Sequence, residues 1–243
     1  MKRSIVVLLL GSLWSAGCGD PEQEKRIADL EAKVAALESK GGAAGPAGAA
    51  PTASPEEEQA AATLLKDATD AMEKMDYETA KAKIAELKEK HGATRAAKAA
   101  VRLEDELSVI GKAEAPVTVE KWFQGSEAEM KGGKATLYVF WEVWCPHCRR
   151  EVPKLAETYT KYHDQGLGVV GLTKMSRDVT EQQVNDFIKE NKLPYPVAKE
   201  QGDAMSSAYG VKGIPAAAVV KDGKVVWRGH PAKLTDEMIK GWL

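Results

Sequence analysis

Cys145 and Cys148 stand two residues apart in the run Trp144-Cys145-Pro146-His147-Cys148, a spacing that suits thiol redox chemistry or half of a metal site. A structural zinc would need two more ligands, and His91, His163 and His230 are scattered without metal-binding spacing, so no metal is expected. The only other cysteine is Cys18, which leaves no material for a stapling disulfide framework. The two thiols therefore read as a reversible Cys145–Cys148 redox couple that needs no bound cofactor. The pair follows an apolar run and opens a helix. At a helix start, unpaired N–H groups and the positive end of the dipole favour a thiolate, which makes Cys145 the expected nucleophile. Cys148 lies one turn further on the same face and is the expected resolving thiol. Pro146 fits the first helical turn, where its missing N–H costs nothing.

The elements that must position this pair can be read from Ala115 onward, where strands and helices alternate. Lys134 to Trp141 is an unbroken run of strand formers, as in a central strand covered on both faces, and Leu167 to Leu172 is a second buried strand. Thr180 with Gln183 opens a helix to Asn191, and Thr235 caps a final one. Ala216–Val220 and Val225–Arg228 flank Lys221-Asp222-Gly223-Lys224, a hairpin signal. The expected fold class is α/β over residues 113–243.

This part of the chain resembles the thioredoxin-like superfamily, and more closely its exported TlpA/ResA-like reductases, through Phe140-Trp141-Glu142-Val143-Trp144-Cys145-Pro146-His147-Cys148-Arg149-Arg150-Glu151-Val152-Pro153. Pro153 sits where the superfamily carries a kinking proline in the active-site helix, and Gly213-Ile214-Pro215 matches its cis-proline loop. The resemblance implies a three-layer thioredoxin-like fold, with Pro215 facing the cysteines and the Ile214 backbone free to pair with a substrate strand. Thioredoxins place a buried Asp six residues before the first cysteine, whereas this chain has Val139, so the proton acceptor for Cys148 is open. Glu142 is a candidate, the alternative being a solvated acid at the strand end. Pro146-His147 resembles the dipeptide of oxidising DsbA-like proteins. His147 could donate to the thiolate and make the pair more oxidising, or be a helix-surface residue. His91, His163 and His230 look like helix-end or loop positions without partners.

The remainder divides by composition. Met1-Lys2-Arg3, an apolar run from Ile5 to Leu13 and Ser15-Ala16-Gly17-Cys18 form a signal segment over 1–18. It resembles a bacterial lipoprotein signal with Cys18 as the lipidated residue, although Ser15 stands where Leu is usual; plain cleavage is the alternative. Residues 21–40 carry Ile27, Leu30, Val34 and Leu37 at heptad a and d positions, with Arg26 and Lys33 at g facing Glu31 and Glu38 at e. That pattern predicts a short parallel coiled coil and a homodimer, or else a solvated stalk helix. Residues 41–55 are almost all small residues and proline, as in a flexible linker.

Ser54-Pro55-Glu56-Glu57 has the form of a capping box, and residues 56–111 read as a small all-α, helical hairpin-like region. Leu64, Leu65, Ala68, Met72 and Met75 mark the first stripe; Tyr77, Ala80, Ile84 and Leu87 the second, ending at Gly92; a third helix runs from about Arg95 to Ile110. The region resembles a tetratricopeptide-type unit only weakly and reads as a spacer without chemistry.

Lys and Arg total 34 against 36 Asp and Glu, so there is no positive field to hold nucleic acid. The resemblance implies a disulfide oxidoreductase on the periplasmic side of a bacterial membrane, held by a lipid anchor. Its partners would be protein thiols and disulfides and an upstream redox partner. Reduction is the favoured direction, with DsbA-like oxidation or dimeric isomerisation as alternatives, and a copper metallochaperone or scaffold lipoprotein ranked lower.

Overall fold

The structure, a computed structural model, describes residues 53–131 and 133–243. The signal segment with Cys18, the heptad stretch and most of the linker lie outside the described residues. In chain order the elements are α1 (Pro55–Glu73), α2 (Tyr77–His91), α3 (Arg95–Leu107), β1 (Val119–Gln124), α4 (Glu127–Met130), β2 (Ala135–Phe140), α5 (Pro146–Tyr162), β3 (Leu167–Thr173), α6 (Glu181–Glu190), β4 (Val197–Glu200), α7 (Ala204–Ala208), β5 (Ala216–Lys221), β6 (Lys224–Gly229) and α8 (Asp236–Trp242). The α/β thioredoxin-like sheet-and-helix arrangement at the C-terminal end, preceded by a helical region, agrees with the fold expected from the sequence.

The sheet is ordered β1-β4-β3-β2-β5-β6. β2 pairs in parallel with β3 and antiparallel with β5, so both its edges are satisfied and all six of its residues are buried. The pleat sends Leu137, Val139 and Trp141 into one core with α5, α6 and α8, and Tyr138 and Phe140 into the other, against Met130, Met205 and Tyr209. Gly171 on β3 makes this packing possible. A methyl group there would lie 2.8 Å from the indole nitrogen of Trp141. At the β5–β6 turn Asp222 and Gly223 have φ of 50° and 70°, the two left-handed residues of a tight hairpin.

The helical region is capped by Ser54 with Glu57, as its sequence predicts, and also by Asp76 and by Thr94. Two expectations change. Met75 is exposed rather than part of the first stripe: α1 has already ended, and φ of 58° places Met75 in the turn to α2. The third helix ends at Leu107, not Ile110, because Gly111, at φ 82°, donates its N–H to the Val225 carbonyl and draws the chain onto β6. Val225 returns a bond to Lys112, and the Tyr77 hydroxyl donates to Val226 at 2.9 Å. These bonds dock the helices on the sheet edge.

Candidate active site

The site grows from the junction of β2 and α5. Cys145 is the N-cap of α5: its Sγ accepts the Cys148 N–H at 3.5 Å, and Pro146 occupies the first turn. Both residues are free thiols in this structure. They differ in surroundings. Both are buried among Val152 and Trp141, but Cys145, 4% exposed, lines a trough that Cys148, 0% exposed, does not reach. Burial pushes the Cys148 thiol well above the ordinary range, and the neighbouring Cys145 thiol acts in the same direction. Across the trough the Ile214–Pro215 peptide is cis, and the Cys145 thiol lies 3.8 Å from the Ile214 carbonyl oxygen.

Glu142 is not a solvated acid. It is 4% exposed, and its carboxylate accepts the Ser176 N–H at 3.2 Å on each oxygen and the Thr173 hydroxyl at 3.4 Å. The segment it anchors, just beyond β3, contains three non-glycine residues in the left-handed region, Met175, Arg177 and Asp178. Each costs roughly 1–2 kcal/mol, so neighbouring contacts must hold the segment in place. Glu142 supplies one such contact and Trp144 the others: its indole N–H donates to the Ser176 hydroxyl at 3.0 Å, and the Arg177 guanidinium lies 3.6 Å over its ring. Trp144 thus forms a braced wall of the trough.

His147 is exposed at the trough's rim. The Arg150 guanidinium lies 2.6 Å from its Nδ1 and can only donate, so Nδ1 is an acceptor. The bonds of Cys145 run to Cys148 and Ile214, and His147 is not among its partners. His163 and His230 were expected to lack partners, and both have them. His163 stacks on Tyr159, with ring centroids 4.4 Å apart, because α5 ends beside its own preceding turn. His230 accepts the Ala232 N–H at 3.1 Å and is half-buried, which lowers its affinity for a proton through desolvation. His91 stays at the end of α2, its Nδ1 unpartnered among the described residues.

Several contributors were not singled out from sequence. Lys174 and Glu200 line the same trough as Cys145, and burial holds the Glu200 carboxyl above the usual carboxylate range. Arg228 is buried and donates to the carbonyls of Tyr209 at 2.8 Å, Gly229 at 3.1 Å, Ala217 at 3.4 Å and Gly210 at 3.5 Å. It ties the segment leading into the Ile214–Pro215 loop to β5 and β6. A lone arginine inside an apolar strand run was the available signal, since such a charge must find acceptors. Among the described residues no group of three or more His, Cys, Asp or Glu is placed to hold a metal ion.

Residues 123–240 match the Redoxin family. Thiol-disulfide oxidoreductase ResA of Bacillus cereus is 36% identical over 137 residues, covering 55% of this chain and 76% of its own length. The sporulation thiol-disulfide oxidoreductase A of Bacillus subtilis (strain 168) is 25% identical over 127 residues, covering 52% of this chain and 77% of its own. Among solved structures, the crystal structure of StoA from Bacillus subtilis is 27% identical, covering 54% of this chain and 98% of that one, with a TM-score of 0.44. The chain belongs to the ResA-like thiol-disulfide oxidoreductases of the thioredoxin superfamily, and it is an enzyme of protein thiol-disulfide exchange.

Proposed function

We propose that the chain reduces disulfides of exported proteins through a two-step exchange at Cys145 and Cys148. The observation that carries this reading is the asymmetry of the pair: Cys145 caps α5 and, though only 4% exposed, lines the trough, while Cys148 is fully buried and lies outside its lining. The Cys145 thiolate attacks one sulfur of the substrate disulfide, whose other sulfur leaves as a thiolate and takes a proton. Cys148 then loses its proton and attacks Cys145 Sγ, which releases the second substrate thiol and leaves a Cys145–Cys148 disulfide. Two electrons have passed to the substrate, and an upstream dithiol restores the pair.

Each remaining site residue has a part in this scheme. Glu142 receives the Cys148 proton; its support is a carboxylate that is buried beside the pair, on the residue whose carbonyl accepts the Cys145 N–H at 3.1 Å. Trp144 and Pro146 shape the wall beside Cys145, and Ile214 offers backbone pairing across Pro215. The pairing of His147 with Arg150 favours reduction over oxidation, because His147 supplies Cys145 with no bond. The chain acts outside the cytoplasm, anchored by lipid on Cys18 and dimeric through residues 21–40. Loss of membrane-fraction recovery on Cys18→Ala and of the dimer on removal of 21–40 would check those two points.

The decisive test is redox titration with alkylation of the reduced protein. Iodoacetamide modifies Cys145 and leaves Cys148 unmodified in the folded state. Cys148→Ser accumulates mixed disulfides through Cys145. The potential lies closer to about −270 mV than to about −120 mV, the values of a reducing and an oxidising member of the superfamily. Equal alkylation of both thiols overturns the roles, and a potential near about −120 mV overturns the direction.

A further inference from the structure

The helical region brings α3 to the active-site face. A cleft of about 500 Å³ lies between α3 and the Ile214–Pro215 loop, with Val101, Arg102 and Asp105 on the helix side. Residues 53–122, which include all of α3, lie outside the part of the chain that matches the Redoxin family. The cleft shares His147, Lys212, Gly213 and Ile214 with the trough that holds Cys145, so the two form one continuous path across the loop. The floor is built: Glu106 is buried and paired with Arg102 at 3.2 Å, and Arg228 is buried beneath the loop.

Val101 breaks the ordinary surface pattern. It is 51% exposed, the more exposed of two large apolar side chains so described, and it faces the cleft opposite Ile214 and Pro215 rather than the core of its own helices. A single exposed valine is unremarkable, but one at the mouth of a cleft continuous with a reactive thiol offers an apolar anchor point.

We infer that α3 is the second wall of the substrate site, and that the cleft receives an extended polypeptide segment whose cysteine sits over Cys145 and whose apolar side chain, a few residues away, packs on Val101 and Pro215. This inference deepens the proposed disulfide exchange and rests on it. The occupant follows from continuity: the trough and the cleft share His147, Lys212, Gly213 and Ile214, so a chain whose cysteine lies at Cys145 and whose backbone crosses the loop at Ile214 runs on into the cleft, with α3 on its far side. Arg102, Asp105 and Lys212 at the rim then select the polar residues that flank the anchor. The helical region is therefore a specificity element rather than a spacer.

The test uses the full chain with two substrates, insulin as a protein disulfide and hydroxyethyl disulfide as a small one that cannot reach α3. Val101→Lys, at an exposed helical position, should lower kcat/KM for insulin tenfold or more while leaving the small disulfide within twofold. Ala85→Lys, exposed on α2 and outside the lining of both the cleft and the trough, should change neither. Unchanged insulin reduction by Val101→Lys overturns the inference and leaves the proposed exchange intact. An equal fall with both substrates also overturns it, because the effect would then lie in the thiols rather than the cleft. A wild-type protein that reduces neither substrate overturns the exchange itself.

Discussion

The sheet and the three helices that precede it are packed by different means. The sheet buries large side chains on both faces: Trp141 and Leu137 on one, Tyr138, Phe140 and Tyr209 on the other. The helical region is packed largely with alanine, at Ala61, Ala68, Ala71, Ala80, Ala96, Ala97 and Ala100. Alanine lets helices approach closely and loses no side-chain entropy, but each removes little apolar surface from water, at about 0.8 kcal/mol per buried CH₂. A thiol pair that must meet within ångströms belongs on the rigid sheet. A wall that selects among substrates can stand on the lighter element, provided that element is docked. The docking bonds at Val225 and Val226 meet that condition.

The largest expected effect breaks the two regions separately. Leu137→Ala should cost about 4 kcal/mol, because the close-packed strand cannot collapse onto the cavity, and should shift the whole urea transition. Leu87→Ala, equally buried among the helices, should cost about 3 kcal/mol and melt the helical region first. The six tryptophans lie at positions 14, 122, 141, 144, 227 and 242, so none falls among the three helices. Fluorescence then follows the sheet while far-ultraviolet circular dichroism follows both. Coincident transitions in Leu87→Ala would show that the helices are part of one cooperative unit with the sheet.

Gly171→Ala comes next. The added methyl group meets the Trp141 indole at 2.8 Å, which should cost about 2 kcal/mol of stability and displace the strand end that carries Cys145. Slower exchange with insulin and with a small disulfide alike is the expected kinetic signature. Stability equal to wild type would mean that Trp141 has room to turn.

Tyr77→Phe removes the hydroxyl that reaches Val226 and should cost about 1 kcal/mol. Burial raises the Tyr77 hydroxyl to about 12, so it remains a neutral donor through the physiological range. The readout is earlier amide exchange in α2 than in β2. Unaltered exchange in α2 would assign the docking to the Gly111 and Lys112 bonds alone.

The smallest effect concerns pH. Burial raises the folded Glu200 carboxyl above 4.5, so the folded chain holds this proton longer than the unfolded chain. The resulting stabilisation is present below pH 4.5 and is lost as pH rises through the folded value, which gives a negative slope of stability with pH in that window. His230 acts in the opposite sense: its folded value lies below 6.5, so its contribution is present above pH 6.5 and is lost as pH falls. Glu200→Gln should abolish only the first component, with a gain of under about 1 kcal/mol at neutral pH. Denaturant midpoints from about pH 4 to about pH 8 distinguish wild type from Glu200→Gln, and identical slopes would show that Glu200 titrates alike in the folded and unfolded chain.

The sequence by itself determined whatever depends on neighbours three or four residues apart. Cys145 as the cap of α5, the boxes of Ser54 with Glu57 and Thr180 with Gln183, and the Asp222-Gly223 turn are all of that kind. β2 was legible because its strand-forming run is continuous. Only the tertiary structure decided that Glu142 is buried, since its partners Thr173 and Ser176 lie beyond a helix and a strand. The same holds for Arg228, which finds its acceptors at Tyr209 and Gly210, and for α3, more than a hundred residues from the loop it faces. The physical reason is the strand order. With β2 lying between β3 and β5, and with β6 outside β5 receiving the docked helices, the neighbours of the thiols are set by strand crossovers that no local periodicity records.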